Sequence, residues 1–152
     1  MKRILVALDQ SEEALKVVQY VADALAGRAG VELTLFHVIR EFLPIHAEFD
    51  LGVLPEVQAR FEEGSRQAMG QVFADAKRVL AQAGFSEGQV TTQIQSGGPD
   101  VAHEIIAQAE TGGYDTIALG RRGMGRVRQF FMGSVSTKVV QHVRGCTVWV
   151  VE

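Results

Sequence analysis

The sequence predicts an α/β fold, with one open sheet of five mainly parallel strands and helices on both faces. Short apolar runs rich in β-branched residues alternate with longer segments in which apolar residues recur every three or four positions. Glycine or proline stands at most of the boundaries between them. The resulting order, β-α-β-α-β-α-β-α-β, is typical of a parallel sheet with right-handed crossovers.

Length and composition favour one globular domain spanning residues 1–152. The chain is 47% hydrophobic and 22% charged, which excludes a disordered or collagen-like protein. Cys146 is the one cysteine, so an intramolecular disulfide is excluded and a reducing compartment is expected. The apolar run near the start is too short for a signal peptide or a membrane span. We therefore expect a cytoplasmic protein without a membrane partner.

The first half of the chain predicts two strands, one helix and a loop. Residues 3–8 form a continuous apolar run, which indicates a strand buried on both faces. Ser11 is expected to cap a helix whose apolar stripe covers 15–25. Residues 31–39 predict a second strand, and the mixed segment 40–53 is expected to be a loop or lid.

The second half predicts three helices and three strands. The first helix covers 55–84, and its sequence is compatible with a break at Gly64 or Gly70, since an interior glycine costs about 1 kcal/mol relative to alanine. Three strands are expected at 89–95, 114–119 and 147–151. Two further helices are expected at 99–111, where Pro99 opens the helix, and at 134–143.

The predicted topology locates a candidate site before any motif is considered. In open parallel sheets, ligands bind beyond the carboxyl ends of the strands, where the strand order reverses. The segments that follow strands here are Asp9, the neighbourhood of Val38, 96–100 and 119–136. We expect these segments to surround one crevice.

Charge points to a small anion as the ligand. The net charge is −3, so neither nucleic acid nor an acidic membrane is expected as a partner. Residues 116–151 nevertheless carry six Lys or Arg and no acid. Four of these are clustered within eight residues: Arg121, Arg122, Arg126 and Arg128. A local cationic island on an acidic chain suits a compact anion, although a solvated surface loop explains the charge pattern equally well.

The segment 120–136 has the composition of a phosphate-binding loop. Its glycines allow the backbone to approach a ligand closely, and the helix that follows offers free N–H groups. Ser134 and Ser136 add hydroxyls, and Arg122 offers charge-assisted hydrogen bonds of about 1.5–3 kcal/mol. The segment lacks G-x-x-x-x-G-K-[ST], and its G-x-G-x-x-G is incomplete, which argues against a Walker NTPase and an NAD-type dehydrogenase.

The spacing that fits is G-x2-G-x9-G-S, formed by Gly120, Gly123, Gly133 and Ser134. Together with Asp9-x-Ser11, Phe36-His37-Val38-Ile39 and Gly97-Gly98-Pro99, it resembles the ATP-binding branch of the universal stress protein family along nearly the whole chain. This chain departs from the family pattern in having Cys146-Thr147 where Cys-Pro is usual, and in its basic Arg121-Arg122 pair.

The resemblance implies a Rossmann-like sheet of the adenine nucleotide alpha-hydrolase type and an ATP-binding, stress-response regulatory protein. It also implies that ATP, with Mg²⁺, is held at the carboxyl ends of the strands and is hydrolysed slowly or not at all. It further implies a homodimer through the last strand, residues 147–151. The resemblance assigns Asp9 to the ribose–adenine part of ATP and the Val38 backbone to adenine. The complete set of implied nucleotide-binding residues is Asp9, Val38, Leu119, Gly120, Arg122, Gly123, Gly133, Ser134, Val135 and Ser136.

Two other functions remain open at this stage. Ser96-Gly97-Gly98-Pro99-Asp100 is similar to the start of the S-G-G-x-D-S loop of ATP pyrophosphatases, although Val101 replaces the last serine and the match follows the third strand. A dimeric interaction module without nucleotide is the other alternative. The sequence offers no nucleophile–base pair and no metal-ligand spacing among its four histidines, so neither catalytic nor metal-binding residues are assigned. His37 is expected to be a packed or capping residue at a strand end.

Overall fold

A computed structural model describes residues 1–40, 54–98, 100–122 and 132–152. In this part of the chain, five strands alternate with four helices, and a short 3-10 helix precedes the third strand. The elements are β1 (Lys2–Ala7), α1 (Ala14–Leu25), β2 (Val31–Ile39), α2 (Leu54–Gln82), the 3-10 helix (Glu87–Gln89), β3 (Val90–Ser96), α3 (Val101–Thr111), β4 (Thr116–Gly120), α4 (Ser134–His142) and β5 (Thr147–Val151).

The five strands form one sheet in the order β3-β2-β1-β4-β5, and every neighbouring pair is parallel. The predicted fold class is therefore confirmed. Ile4 of β1 is in register with Leu33 of β2 on one side and Thr116 of β4 on the other. The strand order reverses beside β1, so the carboxyl ends of β1 and β4 flank the switch point where a crevice is expected.

Two hydrophobic cores lie on opposite faces of the sheet. On one face, α1 and α2 cover apolar side chains such as Ile4 and Leu33. On the other face, α3 and α4 cover Leu5, Phe36 and Ile117. The strands are apolar on both sides because each side is covered by helices, which explains the continuous apolar runs in the sequence.

One local expectation about the helices is wrong. Ser11 does not cap α1, which begins at Ala14 with Glu13 at its N-cap, because the Ser11 hydroxyl donates to Asp9 Oδ1. Helix α2 continues through Gly64 and Gly70 without a break. Its buried residues, such as Met69, pack into the core and outweigh the propensity cost of the glycines.

Some expectations lie outside the described residues: the loop or lid at 41–53, Pro99, Gly123, Arg126 and Arg128. Asp100, which follows Pro99, is the N-cap of α3, and its carboxylate accepts a hydrogen bond from the Ala102 amide. None of the described helices combines the length and the apolar character needed to cross a membrane.

Candidate functional site

A cleft of about 1050 Å³ opens at the carboxyl edge of the sheet. Its floor is formed by the ends of β1, β2 and β4, and its walls by the first residues of α1, α3 and α4 together with one side of α2. The cleft therefore lies at the topological switch point, where the sequence analysis expects a ligand.

The structure brings together all of the implied nucleotide-binding residues that it describes. These nine residues line the same cleft: Asp9, Val38, Leu119, Gly120, Arg122, Gly133, Ser134, Val135 and Ser136. The tenth, Gly123, lies outside the described residues. The nine come from four separate parts of the sequence, so their convergence is a property of the fold.

Asp9 follows β1 and has one carboxylate oxygen occupied. Its Oδ1 accepts hydrogen bonds from the amide of Ser11, at 3.0 Å, and from the Ser11 hydroxyl. This local turn fixes the carboxylate at the mouth of the cleft. No described residue donates to the other oxygen, Oδ2, which is available to a ligand.

His37 lies beside Asp9 in the wall of the cleft, at the end of β2. Its side chain is largely buried, and Nδ1 lies 2.8 Å from the carbonyl oxygen of Leu8. Burial lowers the pKa of His37, while the Leu8 hydrogen bond and the negative charge of Asp9 raise this pKa less strongly. The prediction of a packed histidine at a strand end is confirmed, and the structure adds that His37 is among the residues that line the cleft.

The two ends of the glycine segment are held together by the backbone carbonyl of Arg121. This oxygen accepts a hydrogen bond from the Gly133 amide at 2.8 Å and another from the Ser136 hydroxyl at 2.9 Å. A Cβ at Gly133 would lie 3.2 Å from the Arg121 oxygen. Gly120 is similarly close to the backbone, because its Cβ would lie 3.1 Å from the Arg122 oxygen. At both glycines, a Cβ would be crowded by the backbone.

The start of α4 provides a set of amides for an anion. Ser134, Val135 and Ser136 are the first three helical residues, and no described residue accepts a hydrogen bond from their N–H groups. The partial positive charge of the helix N-terminus adds to these donors. Their position in the cleft wall is the geometry by which proteins bind phosphate.

The two adjacent arginines have different environments. Arg121 donates to the Glu152 carboxylate, and its amide donates to the Val151 oxygen at 2.7 Å, so it joins β4 to the end of β5. Arg122 lines the cleft, and its buried Nε has no hydrogen-bond partner in the described part of the chain. An unpaired buried donor is unfavourable, so this position of Arg122 has a cost in stability.

The loop that is similar to ATP pyrophosphatases is engaged in structural contacts. The Ser96 hydroxyl donates to Glu62 of α2, at 3.1 Å, and the Asp100 carboxylate pairs with Lys138 of α4 at 2.7 Å. A Cβ on Gly97 would lie 2.7 Å from Val38 Cγ1, so this glycine permits close packing. None of the loop residues that the structure describes lines the cleft.

Sequence reasoning missed the wall contributed by α2. Arg60, Gly64 and Ser65 line the cleft, and so does Arg40 after β2. The Gln10 side chain donates to Ser65 Oγ at 3.2 Å, which connects this wall to the turn after β1. The spacing of 60, 64 and 65 in the sequence places these residues on one side of a helix. Which side of α2 faces the cleft depends on tertiary packing, which the sequence does not specify. Among the described residues, no group of three or more His, Cys, Asp or Glu is placed to hold a metal ion.

The fold and the cleft define an open, doubly wound α/β protein with a ligand crevice at its switch point. The family model described as the universal stress protein family matches residues 1–152, and the chain belongs to this family. It is similar to the universal stress protein YxiE of Bacillus subtilis, with 30% identity over 152 residues that cover 98% of this chain and 97% of YxiE.

Solved structures of the same family share the fold. The universal stress protein UspA from Lactobacillus plantarum has a TM-score of 0.81 at 23% identity, covering 99% of this chain and 97% of that one. Two more distant structures contain adenine nucleotides. One is a universal stress protein in complex with cAMP, with a TM-score of 0.68, 15% identity, and coverage of 99% of this chain and 97% of that chain. The other is the Archaeoglobus fulgidus universal stress protein in complex with dAMP, with a TM-score of 0.59, 18% identity, and coverage of 100% and 98%.

Proposed function

We propose that this protein is an ATP-binding regulatory protein of the G-x2-G-x9-G-S branch of its family. It acts in the stress response and hydrolyses ATP slowly or not at all. The observation that carries the proposal is the convergence of nine implied nucleotide-binding residues on one cleft at the switch point of the sheet. The adenine nucleotides bound by related proteins support the same class of ligand.

The triphosphate is assigned to the end of the cleft formed by Gly120, Gly133 and the start of α4. The amides of Ser134 and Val135 and the hydroxyl of Ser134 are donors that match phosphate oxygens. Arg122 lines this end of the cleft and supplies positive charge. Mg²⁺ would arrive with the triphosphate, which prefers this ion and supplies phosphate oxygens as ligands.

The nucleoside is assigned to the opposite end, between β1, β2 and β4. Asp9 presents a carboxylate oxygen to the ribose, and the backbone at Val38 faces adenine. Leu119 adds an apolar surface at the end of β4. Gly97 is packed behind Val38, so the backbone position of Val38 depends on the absence of a side chain there.

Calorimetric titration of ATP into two glycine variants tests this assignment. Gly133→Ala places a Cβ 3.2 Å from the Arg121 oxygen, which crowds the contact that joins the two ends of the segment. We expect it to weaken ATP binding at least tenfold. Gly70→Ala is the control, because a Cβ there meets nothing within 4 Å and Gly70 does not line the cleft. Equal ATP affinity in the two variants would contradict the phosphate assignment.

Assays of ATP binding and of pyrophosphate release on the same purified protein distinguish the other functions. Release of pyrophosphate from ATP would favour a pyrophosphatase, although the contacts of Ser96 and Asp100 give that reading no support. Absence of ATP binding by the unmodified protein would favour an interaction module.

We further propose a cytoplasmic homodimer through β5. This strand lies at the edge of the sheet, and no described strand pairs with its outer side. Sedimentation of the purified protein measures that assembly directly.

A further inference from the structure

Helix α2 has two halves that differ in burial. The inner half, residues 69–82, places four side chains in the hydrophobic core: Met69, Phe73, Ala76 and Leu80. In the outer half, residues 54–68, no residue from 55 to 68 is buried. Most of the stability of a helix in a protein comes from packing of its apolar face, so the outer half lacks the interaction that holds the inner half in place.

Polar contacts join the outer half to the carboxyl edge of the sheet. Gln10, after β1, donates to Ser65 Oγ at 3.2 Å. Ser96, at the end of β3, donates to Glu62 at 3.1 Å and accepts from Arg66 at 3.2 Å. These hydrogen bonds are exposed, so water can replace either partner and each contributes little to stability. By themselves, these contacts restrain the outer half only weakly.

Each half of α2 contains one glycine. Gly64 lies in the outer half and Gly70 in the inner half, and a Cβ at either position would meet nothing within 4 Å. An interior glycine favours the unfolded backbone over the helix. If the outer half unfolds while the inner half keeps its core packing, the cost of Gly64 favours that opening and the cost of Gly70 does not affect it.

The outer half is also part of the wall of the cleft. Its cleft-lining residues are Arg60, Phe61, Gly64 and Ser65. A ligand in the cleft can contact these residues only while the outer half is helical and in place. Binding therefore favours the helical state by the free energy of those contacts.

We propose that the outer half of α2 is a lid that unfolds and refolds as one unit while the sheet stays folded, and that ATP in the cleft holds it in the helical state. This inference rests on the proposed function and adds a means of regulation to it, because occupancy of the cleft then determines whether residues 54–68 present an ordered surface. Few buried contacts and exposed hydrogen bonds are the features of a segment that opens locally.

Hydrogen exchange followed by NMR measures this opening in the ligand-free protein. The amides of 58–63 should exchange about tenfold faster, or more, than those of 73–80. Gly64→Ala should slow the exchange of all amides in 58–63 by one common factor of about five, which is the difference in helix propensity. Gly70→Ala is the matched control, because it makes the same change outside the lid and should leave these rates unchanged.

Two results would overturn the lid. One is equal protection of the two halves of α2. The other is an effect of Gly64→Ala that does not extend to the amides nearest the start of the helix, because those amides would then exchange by fraying of the helix end before Gly64 unfolds. An equal effect of Gly70→Ala on 58–63 would also contradict the boundary between the two halves.

ATP provides the second part of the test. At saturation, confirmed by calorimetry, ATP should slow the exchange of 58–63 about tenfold, as expected for contacts worth one charge-assisted hydrogen bond. Bound ATP without this slowing overturns control of the lid by the ligand and leaves the proposed function intact. Absence of ATP binding overturns the proposed function and the control with it, whereas the two glycine variants still decide whether the lid opens.

Discussion

Replacing Arg122 with methionine should have opposite effects on ligand binding and on stability. Arg122 lines the cleft, and its buried Nε has no partner in the described part of the chain. A hydrogen bond from a charged group to phosphate contributes about 1.5–3 kcal/mol, so Arg122→Met should weaken ATP binding about 10- to 150-fold. The same change removes an unsatisfied buried donor and keeps much of the aliphatic stem. Without ligand, the free energy of unfolding should therefore stay unchanged or rise by up to about 1 kcal/mol.

The assay pairs calorimetric titration of ATP with urea unfolding of the ligand-free protein. Arg28→Met is the matched control, since Arg28 is exposed, follows α1 and does not line the cleft. It removes the same charge from the chain without touching the cleft and should leave ATP affinity nearly unchanged. Equal ATP affinity in Arg122→Met and Arg28→Met would refute the reasoning. A marked loss of stability in Arg122→Met would also do so, because it would mean that the guanidinium is satisfied within the protein.

Three further predictions concern the cleft and its supports. Gly97→Ala should weaken ATP binding several-fold, because the new Cβ would lie 2.7 Å from Val38 Cγ1 and must displace that residue; calorimetry measures the change. Ser136→Ala should lower the free energy of unfolding by about 1–2 kcal/mol in urea titrations, because it removes the buried hydroxyl that donates to the Arg121 oxygen. The free energy of unfolding should also fall as pH drops below about 6.5, because burial lowers the pKa of His37 and the unfolded state then binds more protons.

Each of these predictions has an outcome that contradicts it. Unchanged ATP affinity in Gly97→Ala would mean that the position of Val38 is not important for binding. Wild-type stability of Ser136→Ala would show that the two ends of the glycine segment do not depend on that hydroxyl. The pH effect is isolated by subtracting the profile of His37→Asn, and identical slopes in the two proteins would exclude His37 as its source.

The strands were predictable because burial on both faces leaves a continuous apolar run. Residues 3–8 and 31–39 were expected as strands, and β1 (Lys2–Ala7) and β2 (Val31–Ile39) match them closely. The glycine spacing also indicates where the backbone is crowded, since a Cβ at Gly120 or Gly133 would lie close to the main chain. In both cases a local constraint determines the residue type, and the sequence records it directly.

The features that the sequence analysis mispredicted or missed depend on competing local contacts or on tertiary packing. Ser11 has the residue type of a helix cap, but the nearby Asp9 carboxylate offers its hydroxyl an alternative partner. Helix α2 runs through Gly64 because packing further along the helix outweighs local propensity. The position of Arg60 and Ser65 in the cleft wall follows from how α2 lies against the rest of the fold, which no local pattern encodes.

A crystal structure of the protein with ATP and Mg²⁺ tests the central claim most directly. We predict phosphate oxygens within about 3 Å of the Ser134 and Val135 amides and of the Arg122 guanidinium. Ribose should lie against Asp9 and adenine against the Val38 backbone. A nucleotide bound elsewhere, or phosphates directed away from the start of α4, would contradict the account.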